Sequence, residues 1–324
     1  MKELSIFEYS KKNNFKIFSS YIGNECISYS EFNNIYIDTS MHSIITNDFL
    51  VFSDFERFKN PEKYKKKHIV NADYVKDKLK NVRKINEPCF YLGCENNYWH
   101  QVKDFIPKLY ILKKNEKFHN FKLAINANLS NEYLDILNFF LDKFKLNNIE
   151  LLRLDDEYYK FEKVIISSCP LIDFSIEFFN SINKSQNKPN INIYISRKLA
   201  SKRKITNESE IIDILKKYNY EIVYCENIPF VDQVKLFSLA KNIVAPHGAG
   251  LTNLFWSKSN TTILELSSQI KQPFFETLSK HKKMNFIRII GQDDNTKFYE
   301  KDNHKDYSIN LKLLKSVIEK YKLF

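Results

Sequence analysis

The chain has 324 residues, enough for two ordinary domains, and its 43% hydrophobic content can build packed cores, which excludes a disordered chain. The formal net charge of +11 suits a phosphorylated ligand, an anionic membrane face or nucleic acid as partner. The lysines are spread along the chain rather than gathered in an arm, so nucleic-acid binding is not indicated.

The cysteines and acidic residues give no sign of a metal or disulfide framework. The five cysteines include no Cys-x-x-Cys pair, and the run Asp155-Asp156-Glu157 is interpreted as a solvated turn, so no metal site is predicted. The sequence lacks an apolar run of about 18 or more residues and a signal-peptide pattern. These features favour a cytoplasmic enzyme, and peripheral contact with the anionic inner face of the cell membrane stays open.

In the first half of the chain, a clear pattern of secondary structure begins only after Pro88. Residues 1–85 offer aromatic-rich strand candidates at Asn34–Ile37 and Phe49–Phe52 and a lysine-rich helical stretch after Pro61. Beyond Pro88 the predicted elements alternate, with strands at Cys89–Leu92, Lys122–Ile125, Ile149–Leu152 and Val164–Ser167 and helices at Tyr98–Leu112 and Asn131–Phe144.

A second alternation follows the polar segment Ser181–Asn190, which is the predicted linker. Strands are predicted at Ile191–Ile195, Glu221–Cys225, Asn242–Ala245, Thr262–Leu266 and Phe286–Ile290, and helices at Glu208–Tyr218, Phe230–Ala240, Gly250–Trp256 and Leu311–Tyr321. Asn207 with Glu210 resembles a capping box.

Short apolar strands alternating with helices predict an α/β protein with parallel, doubly wound sheets. We expect domains at 1–180 and 181–306, and a C-terminal helix within 307–324 for which packing on the first domain is one option.

Two of the chain's five glycines lie in the run His247-Gly248-Ala249-Gly250, where a strand gives way to a helix. Glycines let the backbone approach a ligand closely, and the N–H groups at a helix start attract anions. His247 is a hydrogen-bond donor for a diphosphate or a sugar. A tight turn without a ligand is the alternative interpretation.

Basic residues follow the strand Ile191–Ile195, namely Arg197 and then Arg203 within Lys202-Arg203-Lys204. Arginine grips phosphate oxygens in a fork geometry. A solvated basic loop is the competing interpretation. Neither G-x-G-x-x-G nor the P-loop pattern is present, which argues against a dehydrogenase or kinase.

His100 and Asp104 are four residues apart on the polar face of the predicted helix Tyr98–Leu112. An imidazole beside a carboxylate is a reasonable general base near neutral pH, and a polar pair on a solvated face is the alternative. Glu265, near the end of the strand Thr262–Leu266, is either an acceptor for ribose or sugar hydroxyls or a salt-bridged glutamate.

Taken together, these motifs resemble the family-61 glycosyltransferases. The similarity is best over residues 191–267, from Tyr194-Ile-Ser-Arg197 through Val244-Ala-Pro-His-Gly-Ala-Gly-Leu-Thr-Asn253 to Glu265. A weaker match, Tyr-x-His-x-x-x-Asp-x-x-Pro-x-Leu, falls on Tyr98, His100, Asp104, Pro107 and Leu109.

The resemblance implies a GT-B fold of two Rossmann-like domains facing across a cleft, and an inverting transferase that needs no metal or other cofactor. It implies transfer from a nucleotide sugar, expected to be UDP-linked, to a glycan or glycolipid hydroxyl in surface polysaccharide or lipopolysaccharide synthesis. The expected donor-site residues are Ser196, Arg197, Arg203, His247, Gly248, Ala249, Gly250, Asn253 and Glu265. Asp104 or His100 is the expected base, on the acceptor side.

Two other classes of protein stay open on the sequence alone. A non-catalytic nucleotide-sugar-binding protein on the same scaffold would bind the donor without transferring its sugar. A nucleic-acid-binding protein would show binding that falls steeply with salt concentration.

Overall fold

The computed structural model describes residues 16–40, 42–47, 51–53, 72–183, 188–268, 273–293 and 306–324. The chain divides into two compact units, Met1–Phe178 and Phe179–Phe324, here called the first and second units. The lysine-rich stretch after Pro61 and residues 184–187 of the predicted linker lie outside the described residues.

Within the described residues, the sheet of the first unit has nine strands in the order β4-β3-β2-β9-β6-β7-β8, with β1 beside β2 and β5 beside β9. The strands are β1 Ile17–Ile22, β2 Glu25–Asp38, β3 Ser43–Ile45, β4 Val51–Ser53, β5 Arg83–Ile85, β6 Cys89–Gly93, β7 Lys122–Asn126, β8 Leu151–Leu154 and β9 Tyr158–Ser167.

This first sheet is mixed, not the parallel sheet that the sequence predicted. β5 and β6 run parallel to β9, and β7 and β8 continue the parallel half. The long strand β2 is antiparallel to β9 and forms a hairpin with β1 through Gly23, which takes a left-handed backbone conformation. Two-residue hairpin turns favour glycine for that reason. Phe32, Tyr159 and Phe161 are buried in the core around these strands.

The helices in the described part of the first unit are α1 Ala72–Lys78, α2 Tyr98–His100, α3 Leu109–Lys114, α4 Asn131–Lys143 and α5 Ile172–Ile182. The last of these, α5, continues into the second unit and was not predicted from the sequence. The predicted helix Tyr98–Leu112 is present but irregular, because a π segment, Gln101–Phe105, and a 3-10 segment, Ile106–Lys108, separate α2 from α3.

Pro107 accounts for part of that irregularity. It lacks an N–H, so it cannot hydrogen-bond the carbonyl of Lys103 four residues earlier. Ser175 of α5 donates to that carbonyl instead, at 3.0 Å. Single π turns inside helices are often found at functional positions.

The sheet of the second unit has five parallel strands in the order β11-β10-β12-β13-β14, which confirms the predicted α/β class here. The strands are β10 Ile191–Ile195, β11 Tyr220–Val223, β12 Ala240–Pro246, β13 Thr262–Ser267 and β14 Asn285–Ile290, and a separate ribbon pairs β15 Gln292–Asp293 with β16 Tyr307–Ser308. The helices are α6 Glu208–Lys217, α7 Phe230–Leu239, α8 Phe274–His281 and α9 Leu311–Lys320.

Two local expectations need correction in this unit. The predicted helix Gly250–Trp256 is a 3-10 helix over Ala249–Phe255. Asn207 precedes α6 but makes no capping hydrogen bond, because its amide is paired with the backbone of Ile309. The C-terminal helix α9 buries Leu314 and Ile318 in the core of the second unit and contacts α6. None of the helices within the described ranges is both long enough and apolar enough to cross a bilayer.

Candidate donor and acceptor sites

The order of the second sheet predicts where a ligand would bind. β10 pairs with β11 on one side and with β12 on the other, so the winding of the chain reverses between β10 and β12. In open α/β sheets, ligands bind beyond the carboxyl ends of the strands at such a switch point. The loop after β10 carries Ser196 and Arg197, and the loop after β12 carries His247 and Gly248.

Gly248 and Arg197 meet at this point. A Cβ built on Gly248 would overlap Nη1 of Arg197 and stand 3.1 Å from its Cζ. Gly248 has an extended backbone, with φ of 172°, which any residue can adopt. Glycine is therefore needed here because it has no side chain to collide with Arg197. Gly250 is also tight, since a Cβ there would lie 3.2 Å from Cγ2 of Ile195.

The guanidinium groups of Arg197 and Arg203 are partly buried and incompletely paired. Arg197 Nη2 donates to the carbonyl of Lys202 at 3.0 Å. Within the described residues, the buried Nε atoms of both arginines have no hydrogen-bond partner. Burial lowers the pKa of both side chains, and the charge of Arg203 lowers the pKa of Arg197 further. Two neighbouring cations with unused donors form a site that an anion would stabilise.

A buried carboxylate, Glu208, holds the loop that carries Arg197. Its Oε1 accepts hydrogen bonds from the hydroxyls of Tyr194 and Ser196, both at 2.9 Å, and from the backbone N–H of Arg197 at 3.1 Å. Ser196, expected to contact the donor, is thus engaged with Glu208. Spacing along the chain marks Glu208 only as the start of a helix, although an acidic residue that follows a basic loop was an available signal of this contact.

Glu265 lies inside the second unit and is fully buried, at 0% exposure. Its two oxygens accept from different partners, His247 Nδ1 at 2.7 Å and Arg288 Nε at 2.5 Å. Arg288 also pairs with Glu276, and the ring of Phe275 packs edge-on against His247. Glu265 therefore orients the His247 imidazole and forms the salt bridge of its alternative interpretation, and direct contact with ribose or sugar hydroxyls stays a prediction.

Asn253 and Ala249 belong to the short 3-10 helix after Gly248. Asn253 is fully buried, and its side chain donates to Gln233 at 2.8 Å, which ties this helix to α7. Ala249 begins the helix, and the N–H of Leu251 closes its first turn on the carbonyl of Gly248 at 3.0 Å. These contacts fix the shape of the loop around Gly248.

The predicted pair His100 and Asp104 is formed in the first unit, with 2.6 Å between His100 Nδ1 and Asp104 Oδ2. Lys103 Nζ lies 2.7 Å from Asp104 Oδ1, and the thiol of Cys169 donates to the same oxygen at 3.0 Å. The side chain of Asp104 is 13% exposed, whereas that of His100 is 33% exposed. The sequence did not indicate Lys103 or Cys169, since Cys169 is remote in the chain.

The environment of Asp104 keeps it ionised. Burial by itself raises the pKa of this carboxyl, but the Lys103 charge and hydrogen bonds from His100, Lys103 and Cys169 outweigh it and hold the pKa far below its usual value. A carboxylate with a depressed pKa is a weak base. Because it engages Nδ1, the other ring nitrogen, Nε2, is the one suited to accept a proton.

The structure thus gathers the expected residues into two groups. Arg197 lies beside Gly248 and is coupled electrostatically to Arg203 in the second unit, and His100 is hydrogen-bonded to Asp104 in the first. Among the residues that the structure describes, no three His, Cys, Asp or Glu side chains come together in a group that could hold a metal ion.

Open α/β sheets commonly bind nucleotides at such a switch point. A family model described as Glycosyltransferase 61 matches residues 98–264, more than half of the 324 residues and a range that contains both groups. The chain belongs to the glycosyltransferase 61 family, and this supports glycosyltransferase activity. A comparison with curated proteins gave no match.

Proposed function

We propose that the protein is an inverting, metal-independent glycosyltransferase that moves a sugar from a UDP-linked donor to a hydroxyl of a glycan or glycolipid. The observation that carries the proposal is the pair of incompletely hydrogen-bonded guanidiniums, Arg197 and Arg203, at the strand switch point where Arg197 meets Gly248. A diphosphate supplies the negative charge and the acceptor oxygens that these groups lack.

On the donor side, charge builds on the diphosphate as the bond to the sugar breaks. Arginine donors fixed in place before the reaction stabilise that charge without reorganising. Glu208 holds the backbone of Arg197, and the absent side chain at Gly248 leaves room for the guanidinium. His247, oriented by Glu265, is the proposed further donor to the diphosphate or the sugar.

On the acceptor side, we assign the base to His100 and the orienting role to Asp104. Because His100 Nδ1 is hydrogen-bonded to Asp104, the proton of the acceptor hydroxyl is transferred to Nε2. The Asp104 carboxylate then stabilises the imidazolium that results. The deprotonated acceptor oxygen then attacks the anomeric carbon opposite the departing UDP, which inverts the configuration. The transition state resembles an oxocarbenium ion, as in inverting glycoside hydrolysis.

The proposal includes a GT-B architecture, in which the second unit binds the donor and the first binds the acceptor. A role in surface polysaccharide or lipopolysaccharide synthesis is part of it, as is peripheral contact of this +11 protein with an anionic membrane face. Nucleic acid is not a proposed partner.

The first test is thermal unfolding with a panel of nucleotide sugars in the presence of EDTA, because a ligand that binds the folded state raises the melting temperature. We expect UDP and one UDP-sugar to stabilise the protein, and Arg197→Ala to lose most of that shift. The neighbouring exposed residue supplies the control, Lys198→Ala, which should retain it.

The second test is turnover with the stabilising donor and an acceptor library. Arg197→Ala should lower kcat by on the order of 10²–10³, the usual cost of one such donor. Unchanged turnover in Arg197→Ala would contradict the donor site. Donor binding with neither transfer nor hydrolysis for any acceptor would favour the non-catalytic binding protein.

A further inference from the structure

A narrow recess in the first unit is not used by the proposed reaction. Its polar lining consists of His42, Ser43, Tyr91, Lys108 and Ser167, and three isoleucines form the rest of its wall. The recess is too small for a sugar ring and has room for about one oxygen atom, so a carboxylate or phosphate could enter it only by a single oxygen. We call it the Lys108 recess.

Lys108 is an unusual residue to find in this position. It is buried, with 6% exposure, at the end of the 3-10 segment that precedes α3. Its Nζ lies 4.9 Å from the ring centroid of Phe105, and within the described part of the chain no carboxylate forms an ion pair with it. A buried ammonium without a counter-charge costs free energy, so the fold retains it at the expense of stability.

Ser167 provides an independent indication of a ligand. It is the last residue of β9, it is 2% exposed, and its hydroxyl has no hydrogen-bond partner among the described residues. Buried polar groups are normally paired, so an unpaired hydroxyl that lines a recess beside a buried lysine points to a missing acceptor.

His42 is held in place at the side of the recess. Its Nδ1 lies 2.8 Å from the hydroxyl of Tyr91, and its Nε2 lies 3.4 Å from Glu95. Its backbone has φ of 50°, in the left-handed region that is uncommon for side chains other than glycine. A Cβ on Gly93 would stand 2.8 Å from Nδ1, so Gly93 makes room for this ring.

The recess adjoins the proposed base. Ser167 is two residues before Cys169, whose thiol donates to Asp104. The hydrogen bond from His42 lowers the pKa of Glu95 against the opposing effect of burial, and the nearby charge of His100 lowers it further. Glu95 therefore interacts electrostatically with both histidines, and the link from Ser167 through Cys169 to Asp104 connects the recess with the proposed base.

We propose that the Lys108 recess binds a carboxylate or phosphate group of the acceptor, so that the acceptor is an acidic glycan. Its assignment to the acceptor rests on the proposed function. The Lys108 ammonium supplies the charge, the Ser167 hydroxyl supplies a donor, and the apolar wall lowers the local dielectric, which strengthens both. A neutral sugar hydroxyl would not offset the buried charge.

The test compares three small ligands on the full chain by isothermal titration or protein-detected NMR. Methyl β-D-glucuronide carries a carboxylate, glucose 6-phosphate carries a phosphate, and methyl β-D-glucoside is the neutral reference. We expect at least one acid to bind about tenfold more tightly than the glucoside, as for hydrogen bonds to charged groups. Whichever of the two acids binds more tightly shows whether the recess prefers a carboxylate or a phosphate. Equal binding of all three ligands would overturn the proposal.

Variants locate the site and separate function from structure. Lys108→Met should abolish the preference for acids, and it should raise the melting temperature because it removes an uncompensated buried charge. The matched control is Lys114→Met, an exposed lysine that also contacts an aromatic ring, at 5.5 Å from Tyr110, and it should keep the preference. A retained preference in Lys108→Met would contradict the assignment.

Ser167→Ala is a second, gentler variant in case Lys108→Met unfolds. It should weaken binding of the acidic ligand by about three- to tenfold with the fold intact, and unchanged affinity would exclude the recess as the site. UDP binding is measured in parallel. Acid preference without UDP binding would reject the proposed function alone, and UDP binding without acid preference would reject the recess alone.

Discussion

Gly248 leaves the space that the guanidinium of Arg197 occupies, since a Cβ on Gly248 would overlap Nη1 of Arg197. The two residues come from loops after different strands, β12 and β10, that lie side by side in the sheet. The absence of a side chain at Gly248 therefore allows the Arg197 guanidinium to take its position. A substitution at Gly248 is a direct test of the proposed donor site.

Gly248→Ala should fold normally, because the extended backbone at this position accepts any residue and the flexible end of Arg197 can move. The displaced guanidinium should weaken UDP binding by about tenfold, or roughly 1.4 kcal/mol. The dissociation constant of UDP, measured by titration calorimetry, checks this expectation.

A double-mutant cycle supplies the control for that prediction. If the glycine acts through Arg197, the substitution Gly248→Ala should have little further effect in an Arg197→Ala background. Fully additive losses in the double variant would mean that Gly248 contacts the ligand independently of Arg197.

Glu208 should position Arg197 by fixing its loop. Glu208→Ala leaves three donors, on Tyr194, Ser196 and the Arg197 backbone, without their acceptor and should destabilise the protein by about 2–3 kcal/mol. Glu208→Gln retains an acceptor oxygen and should recover much of that loss. Urea denaturation gives the stability, and UDP affinity of the folded protein gives the positioning effect. Normal UDP affinity in Glu208→Ala would confine Glu208 to a structural role.

Asp104 should contribute stability that depends on pH. Because its folded-state pKa is depressed, the contribution is complete above the unfolded value of about 4 and is lost as pH falls toward the folded value. Wild type should exceed Asp104→Asn by on the order of 2–3 kcal/mol at neutral pH. Urea denaturation of both proteins from pH 3 to 8 should show this difference shrinking below about pH 4. A constant difference across that range would mean that the Asp104 carboxyl is not held ionised by its neighbours.

Arg288 should stabilise the protein by balancing the fully buried Glu265. Arg288→Met leaves that carboxylate with one partner fewer and should cost about 3 kcal/mol in urea denaturation. The double variant with Glu265→Met should be less destabilised than the sum of the single variants, because the uncompensated charge is gone. Exposed Arg153→Met is the control and should change stability by less than about 0.5 kcal/mol. Strict additivity would argue against a coupled pair.

The strands of the second unit were predictable because each is a short apolar run bounded by polar residues. The strand pairing of the first unit was harder to predict. Its long strand β2 pairs antiparallel with β9, which is far along the chain, and no local pattern in residues 1–85 indicates that pairing. Lys108 was overlooked, although it lies three residues after Phe105 and four before Leu112 and so falls on the apolar face of the helix.

The sequence by itself determined the α/β alternation of the second unit, the family, and the polar residues that are candidates for chemistry, because these depend on local spacing and residue type. Only the tertiary structure decided what each polar group contacts. Inside the fold, Glu265 is hydrogen-bonded to His247 and Arg288, and Asn253 is hydrogen-bonded to Gln233. The Nε atoms of Arg197 and Arg203, by contrast, lack hydrogen-bond partners among the described residues. Hydrogen-bond partners are set by which strands and loops the sheet brings together, and spacing along the chain does not record that.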